Sequence, residues 1–478
     1  MESPHARLTG MTAFTVVALS QFLSILGTDM TVVALTIWAW RETGAATALA
    51  LLGFFVMAPT VLFSPLAGAL VDRWNRKLVM MLADIATGVA TAAILALYLA
   101  DLLEMWHLFV GGAFVGVFQS FHFPAYSAAA TLMVPKDQYS RASAMISLAQ
   151  AAGAVFAPIG AGALIGVIGV GGILAIDLVT LALALGALLL VHVPQPEVSA
   201  AGLESRGSLW REAGYGFRYI LARPSLLGLQ LLFTVGNLLS DLSGTLAAPL
   251  VLARTGDNAL ALGTVQSTGA VGGIVGGLVL SAWGGPRRKI HGVLAGWAGC
   301  FLLGLVFFGL GRTVPTWAAA MFLSAAFGTL ISASNQAIWQ RKVPPDVQGR
   351  VFSVRALIAQ VAGPLGMLIA GPLADHVLEP GMRPGGALVP VFGGLVGTGP
   401  GAGMALVFIF AGVLGLAGVI VAYSVRAVRD VEDIVPDYDA AQEPAPGTSI
   451  EESASDGAAQ PLAGPVPRGH AGRAGRTR

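Results

Sequence analysis

The chain reads as a succession of apolar runs, each about 20 residues or longer, separated by short polar interruptions. They fall near residues 12–38, 45–70, 78–100, 106–133, 142–168 and 171–193, then near 225–252, 259–283, 290–311, 314–339, 351–377 and 402–427. A chain crossing lipid must satisfy its backbone polar groups internally, which helices do. Six runs plus six therefore predict an all-α integral membrane protein of twelve transmembrane helices in two six-helix bundles. The expected organisation is a bundle over 1–193, a linker over 194–224, a second bundle over 225–435 and a tail over 436–478. The first run is long, carries Asp29 and has no small-residue cleavage site after it, so it reads as a retained span.

Composition narrows the class. Of 478 residues, 55% are hydrophobic and only 11% are charged, against roughly 25% charged in a soluble domain. Too few charges are present to cover a soluble protein of this length. The 62 glycines suit close helix packing in lipid. Net charge is +1 without a basic stripe, which argues against nucleic acid as a partner. Cys300 stands alone in an apolar run and reads as a core residue. The histidines and carboxylates form no metal-ligand pattern. A P-loop is lacking, so direct use of ATP is not expected, and no paired catalytic constellation points to an enzyme or a cofactor.

Charge placement sets a topology. With both termini cytoplasmic, all of the 27 Lys and Arg except Arg41, Arg254, Arg312 and Arg383 fall on the inner side, a positive-inside pattern. Outside the spans, Ser208–Leu221 mixes aromatics with Arg and predicts a helix, either amphipathic on the inner membrane face or a plain surface helix. Residues 378–400 read as a Gly/Pro-rich outer loop. The Ala/Pro/Gly/Ser-rich tail reads as disordered, with no role beyond its charge.

The halves also repeat in sequence. Val134-Pro135-Lys136-Asp137-Gln138-Tyr139-Ser140-Arg141 follows the fourth run, and Val343-Pro344-Pro345-Asp346-Val347-Gln348-Gly349-Arg350 follows the tenth. Duplicated halves with a midplane site between them are how many secondary transporters are built. Between the second and third runs stands Gly68-Ala69-Leu70-Val71-Asp72-Arg73-Trp74-Asn75-Arg76-Lys77, which resembles the signature loop of the major facilitator superfamily. Asn75 replaces the second glycine of that loop and is expected to take its left-handed turn. The resemblance implies a conformational latch made by Gly68, Asp72, Arg73, Arg76 and Lys77. In the fifth run, Gly153, Pro158, Gly160 and Gly162 resemble a helix motif of antiporting drug exporters, and Gly363-Pro364-Leu365-Gly366 echoes it in the eleventh. Phe123-Pro124-Ala125 and the Pro344–Arg350 segment are similar to the macrolide-efflux and enterobactin-exporter branch. The arginine that the superfamily often carries in its fourth helix is absent. The resemblance implies a monomer in the bacterial inner membrane that takes a small-molecule substrate and protons.

Ionisable residues inside spans are functional candidates. Asp29 and Asp241 lie mid-span in the first helix of each half, and His122 in the fourth; all three are candidates for proton coupling. Asp84 is expected to pair with basic loop residues, while Asp177 is ambiguous. Gln21, Gln119, Tyr126, Gln150, Asn237, Gln266, Asn335 and Gln336 are candidates to line a substrate cavity. The leading expectation is proton-driven efflux of a drug-like or natural product, of the antibiotic or siderophore class, by alternating access. An importer or facilitator of a small metabolite is the alternative.

Overall fold

The structure is a computed structural model that describes residues 10–71, 74–194 and 209–437. Asp72, Arg73, residues 195–208 and the tail from residue 438 lie outside the described residues. Among the described residues eleven tracts are long and apolar enough to cross a membrane, and one of them holds two spans. Tyr139–Leu190 is a tract of 52 residues, roughly 80 Å at 1.5 Å per residue, against a hydrocarbon core of about 30 Å. It breaks at Gly169, whose φ of 68° and ψ of −178° belong to a region that only glycine enters readily. The expected boundary between the fifth and sixth runs falls at that residue.

The spans are α1 (Gly10–Thr43), α2 (Ala46–Val71), α3 (Arg76–Leu99), α4 (Met105–Met133), α5 (139–168) and α6 (170–190) in the first half. The second half holds α7 (Pro224–Thr255, turning at Leu246), α8 (Ala259–Trp283) and α9 (Lys289–Leu310, with a π-helical stretch over Cys300–Val306). It continues with α10 (Val314–Lys342), α11 (Pro345–Pro372, carried through a π-helical stretch to Met382) and α12 (Ala402–Ser424). We call the face where α1 begins the near face and the opposite one the far face.

Packing repeats with the sequence. In the first set α1 packs on α5, α2 on α4 and α3 on α4; in the second α7 packs on α11, α8 on α10 and α9 on α10. The sets meet along α5–α8 and α2–α11, contacts that exchange under the same correspondence. Large side chains such as Val167 (81% exposed), Leu148 and Leu278 face outward, as a lipid-facing surface requires.

Several loops are more ordered than their composition predicts. A linker helix, Leu209–Leu221, lies against α11: a Cβ on Gly216 would come within 2.6 Å of Arg350 O, and Tyr219 donates to Lys342 O at 3.3 Å. The far-face segment expected as loop carries the end of α11 and a helix at Val389–Val396.

After α12 the chain folds back over the near face of the second set as a strap, Arg426–Arg429 and Val431–Ile434. Asp433 pairs with Arg288, and Glu432 accepts the N–H of Ile290 at 2.9 Å, in the first turn of α9. Lys342, only 6% exposed, donates to the carbonyls of Glu432 and Val435 and meets Asp437 at 2.7 Å. Arg341 also reaches Asp437, at 2.8 Å. These cations hold the Asp437 carboxyl below the usual range, the Lys342 hydrogen bond most of all. Three near-face cations of this half, Arg288, Arg341 and Lys342, are thus paired with the strap.

Candidate functional site

Between the two sets lies a cavity of about 340 Å³, in the size range of small-molecule sites. Its wall draws on α1, α2, α3, α4 and α6 from one set and on α7, α8 and α11 from the other, through Thr245, Ala248, Gln266 and Met367. Most of it is apolar, as with Leu35, Leu49, Val56 and Leu108. Of the residues expected to line a substrate cavity, Gln266 is on this wall.

The expected coupling carboxylates occupy repeat-related positions. Asp29 on α1 faces Gly153 of α5, where a Cβ would stand 3.3 Å from Asp29 Oδ2. Asp241 on α7 faces Gly363 of α11, where a Cβ would stand 3.6 Å from Asp241 Oδ2. Each carboxylate therefore sits where the first and fifth helix of its set come together, opposite a glycine. Asp177 on α6 is close enough to Asp29 for the two charges to interact. It has no exposed surface and accepts from Thr28 of α1 at 2.9 Å and Thr91 of α3 at 3.1 Å. Gly27 leaves the room for that approach, since a Cβ there would lie 3.1 Å from Asp177 Cα. A buried polar group needs such partners, and Asp177 finds them beside the cavity.

His122 belongs to a separate cluster. Asp84 accepts from Gln21 at 3.2 Å and stands 3.2 Å from His122 Nε2, off the line of a good hydrogen bond. This corrects the expected pairing of Asp84 with basic loop residues: the carboxyl points into the bundle, where α1 and α4 supply its partners. Tyr126, one turn further along α4, is 3% exposed, with its ring 6.4 Å from that of His122. Gln21 is thus engaged with Asp84.

The other candidates scatter. Gln119 is half-buried and Gln150 exposed. Asn335 accepts from Trp339 at 3.2 Å, and Gln336 accepts from Arg355 at 3.4 Å, both within the second set. Asn237 is half-buried on α7. Arg355, counted by charge placement on the inner side, lies inside α11 with its guanidinium 4.3 Å above the Trp339 ring.

The antiporter-like motif forms the joint between the sets. A Cβ on Gly162 would fall 2.6 Å from Ala259 O, and one on Gly263 would fall 2.3 Å from Pro158 O. The backbones of α5 and α8 touch there because neither glycine carries a side chain. Gly160 faces Met30 of α1 instead, with Sδ 3.7 Å from its Cβ position. The signature loop ties its own set together: Arg76 donates to Ala128 O at 3.2 Å, and Lys77 donates to Val191 O at 2.8 Å. Gly68 lies within α2. Asn75 differs from expectation, since its φ of −66° is extended and its side chain caps α3 by accepting from Leu78 N. An N-cap preference replaces the left-handed turn.

Sequence reasoning missed the far-face contacts between the sets. Trp40 of α1 donates to Asp257 at 2.8 Å, and Asp375 of α11 accepts the N–H groups of Ala46 and Thr47 at 3.1 and 2.7 Å. Asp257, Asp375, Thr28 and Thr91 carry no local motif; the polar character of Asp375 near the end of an apolar run was the one available signal.

The chain matches the family model of the Major Facilitator Superfamily over residues 17–367. Macrolide efflux protein A of Streptococcus pyogenes is 25% identical over 366 residues, covering 75% of this chain and 88% of that protein. The multidrug efflux pump of Mycolicibacterium fortuitum is 25% identical, covering 73% and 86%. The enterobactin exporter of Salmonella typhimurium is 24% identical, covering 71% and 80%. A bacterial homologue of the iron transporter ferroportin superposes with a TM-score of 0.61 at 18% identity, covering 86% of this chain and 98% of that one. The nucleoside transporter NupG superposes with a TM-score of 0.64 at 12% identity, covering 86% and 99%. With its twelve helices in two related sets, the chain belongs to the Major Facilitator Superfamily and is a multi-pass membrane transporter.

Proposed function

We propose that this transporter is a proton-driven exporter of drug-like or natural-product molecules, working by alternating access. The observation that carries the reading is the cavity between the sets, lying beside joints that meet on the far face. Cargo of the antibiotic or siderophore class is supported by the efflux relatives named above. Positive charge on the near face supports a cytoplasmic near face with both termini inside, in a bacterial inner membrane, and a monomer as the working unit. The organisation into 1–193, 194–224, 225–435 and 436–478 accompanies this reading.

In this scheme Asp29 and Asp241 couple protons to movement. Each carboxylate stands at a glycine contact between two helices, so neutralising it lowers the cost of bringing apolar surface against it. Protons entering from the far side would neutralise Asp29, and the halves would rock about α5–α8 and α2–α11. The deciding experiment is efflux from inverted vesicles driven by an imposed pH gradient. Asp29→Asn is expected to abolish the pH-driven component while leaving exchange intact, and full pH-driven efflux by that variant sinks the coupling assignment. Counterflow that runs inward without a pH gradient would favour the importer reading.

A further inference from the structure

The hydrogen-bonding groups of the cavity wall lean toward acceptors. Thr28 and Thr91 give their hydroxyl protons to Asp177 at 2.9 and 3.1 Å. Thr36 gives its proton to Val32 O at 2.8 Å, and Thr245 gives its proton to Asp241 O at 2.7 Å. A threonine hydroxyl has a single proton, so at these four positions only oxygen lone pairs remain for a ligand. Thr31, Thr87 and Gln266 on the same wall can donate or accept. Among the described residues no Lys, Arg or His lines the cavity, and Asp177 is the one ionisable residue there.

Asp177 is set behind the hydroxyls, with no exposed surface of its own. Both of its oxygens accept hydroxyl protons. In its ionised form its charge acts through dry, weakly screening surroundings. The wall thus offers acceptors and a negative field, while Leu35, Leu49, Ile94 and Leu108 supply apolar surface.

We infer that this cavity takes a cationic amphiphile, an apolar body bearing a positively charged nitrogen group with N–H donors. Asp177 acts as a positioning residue: it fixes the Thr28 and Thr91 hydroxyls with their oxygens turned to that group. The inference deepens the export reading and rests on it only in treating the bound molecule as cargo. An anion would find few committed donors here and the Asp177 carboxylate behind the wall.

The test uses two xanthene dyes of similar size and opposite charge, cationic rhodamine 123 and anionic fluorescein, with the full-length protein in nanodiscs. Fluorescence anisotropy should show rhodamine 123 bound at least tenfold more tightly than fluorescein. Asp177→Asn replaces an acceptor by a donor and turns one hydroxyl around, so rhodamine 123 should weaken about tenfold with fluorescein unchanged or improved. Thr28→Val should weaken rhodamine 123 several-fold and Thr28→Ser should restore it, which carries the test if Asp177→Asn does not fold. Equal binding of the two dyes, no binding of rhodamine 123, or equal losses in Thr28→Val and Thr28→Ser overturns the inference. Dye movement into proteoliposomes is measured separately. Charge-selective binding without transport upholds the site and removes the export reading.

Discussion

Trp40 gives its indole N–H to the Asp257 carboxylate at 2.8 Å, joining the far end of α1 to the turn before α8. Arg41 reaches the carbonyl of the same residue at 3.4 Å. Asp257 holds a positive φ of 63°, a conformation that Asp and Asn tolerate best among residues with side chains. A buried donor, a charged acceptor and a suitable turn therefore meet at one contact between the two sets.

Weakening this contact should open the far face. Asp257→Asn keeps the turn but replaces the charged acceptor with a neutral one, a loss of about 1 kcal/mol. That predicts a roughly fivefold shift of the equilibrium away from far-face closure. Spin labels at Glu42 and Ala387, in a Cys300→Ser background, would report it as a longer distance population. Unchanged distances would show that the bond does not contribute to closure.

Asp375 caps a helix of the opposite set. Its carboxylate accepts the first two N–H groups of α2 and lies at the positive end of that helix. Asp375→Ala should cost about 1–2 kcal/mol of the closed state. A cysteine at Thr43 should then react several-fold faster with a membrane-impermeant maleimide, and reaction at the unaltered rate argues against capping between the sets.

The α5–α8 joint tolerates no side chain. Gly162→Val would drive its Cβ to within 2.6 Å of Ala259 O, and backbone cannot step aside as a flexible side chain can. The protein should still insert, because Gly162 lies within one long apolar helix, but transport should fall at least tenfold. Gly166→Val, one turn further along with open space around it, is the control and should retain transport.

The strap should release in acid. Lys342 and Arg341 depress the Asp437 pKa relative to about 3.9 in an unfolded chain. A carboxyl depressed in the folded state adds stability that is present in full above that unfolded value. The stability is lost as pH falls through the lower folded value. A bimane on Ile434→Cys, with Cys300→Ser, should report a docked strap at pH 7 and at pH 5, and release below about pH 4. Asp437→Asn should shrink the acid transition, leaving what Glu432 and Asp433 contribute, and loosen the strap at neutral pH; an identical acid transition in that variant would place the titrating group elsewhere.

The sequence by itself determined the spans, their grouping and the side that carries positive charge. Those features follow from the length of apolar runs and the cost of moving Lys and Arg through lipid, both local properties. The break at Gly169 was legible for the same reason, as a short interruption between two runs. Asp29 and Asp241 also stood out, because a carboxylate in an apolar run is conspicuous wherever it points. Only the tertiary structure decided which carboxyl meets which partner. Asp84 turned to Gln21 and His122 rather than to loop cations, and Asp177 turned to Thr28 and Thr91. Pairs such as Trp40 with Asp257, or Asp375 with the start of α2, join residues hundreds of positions apart. No local pattern encodes such contacts, since they depend on how two independently apolar sets of helices come to rest against each other.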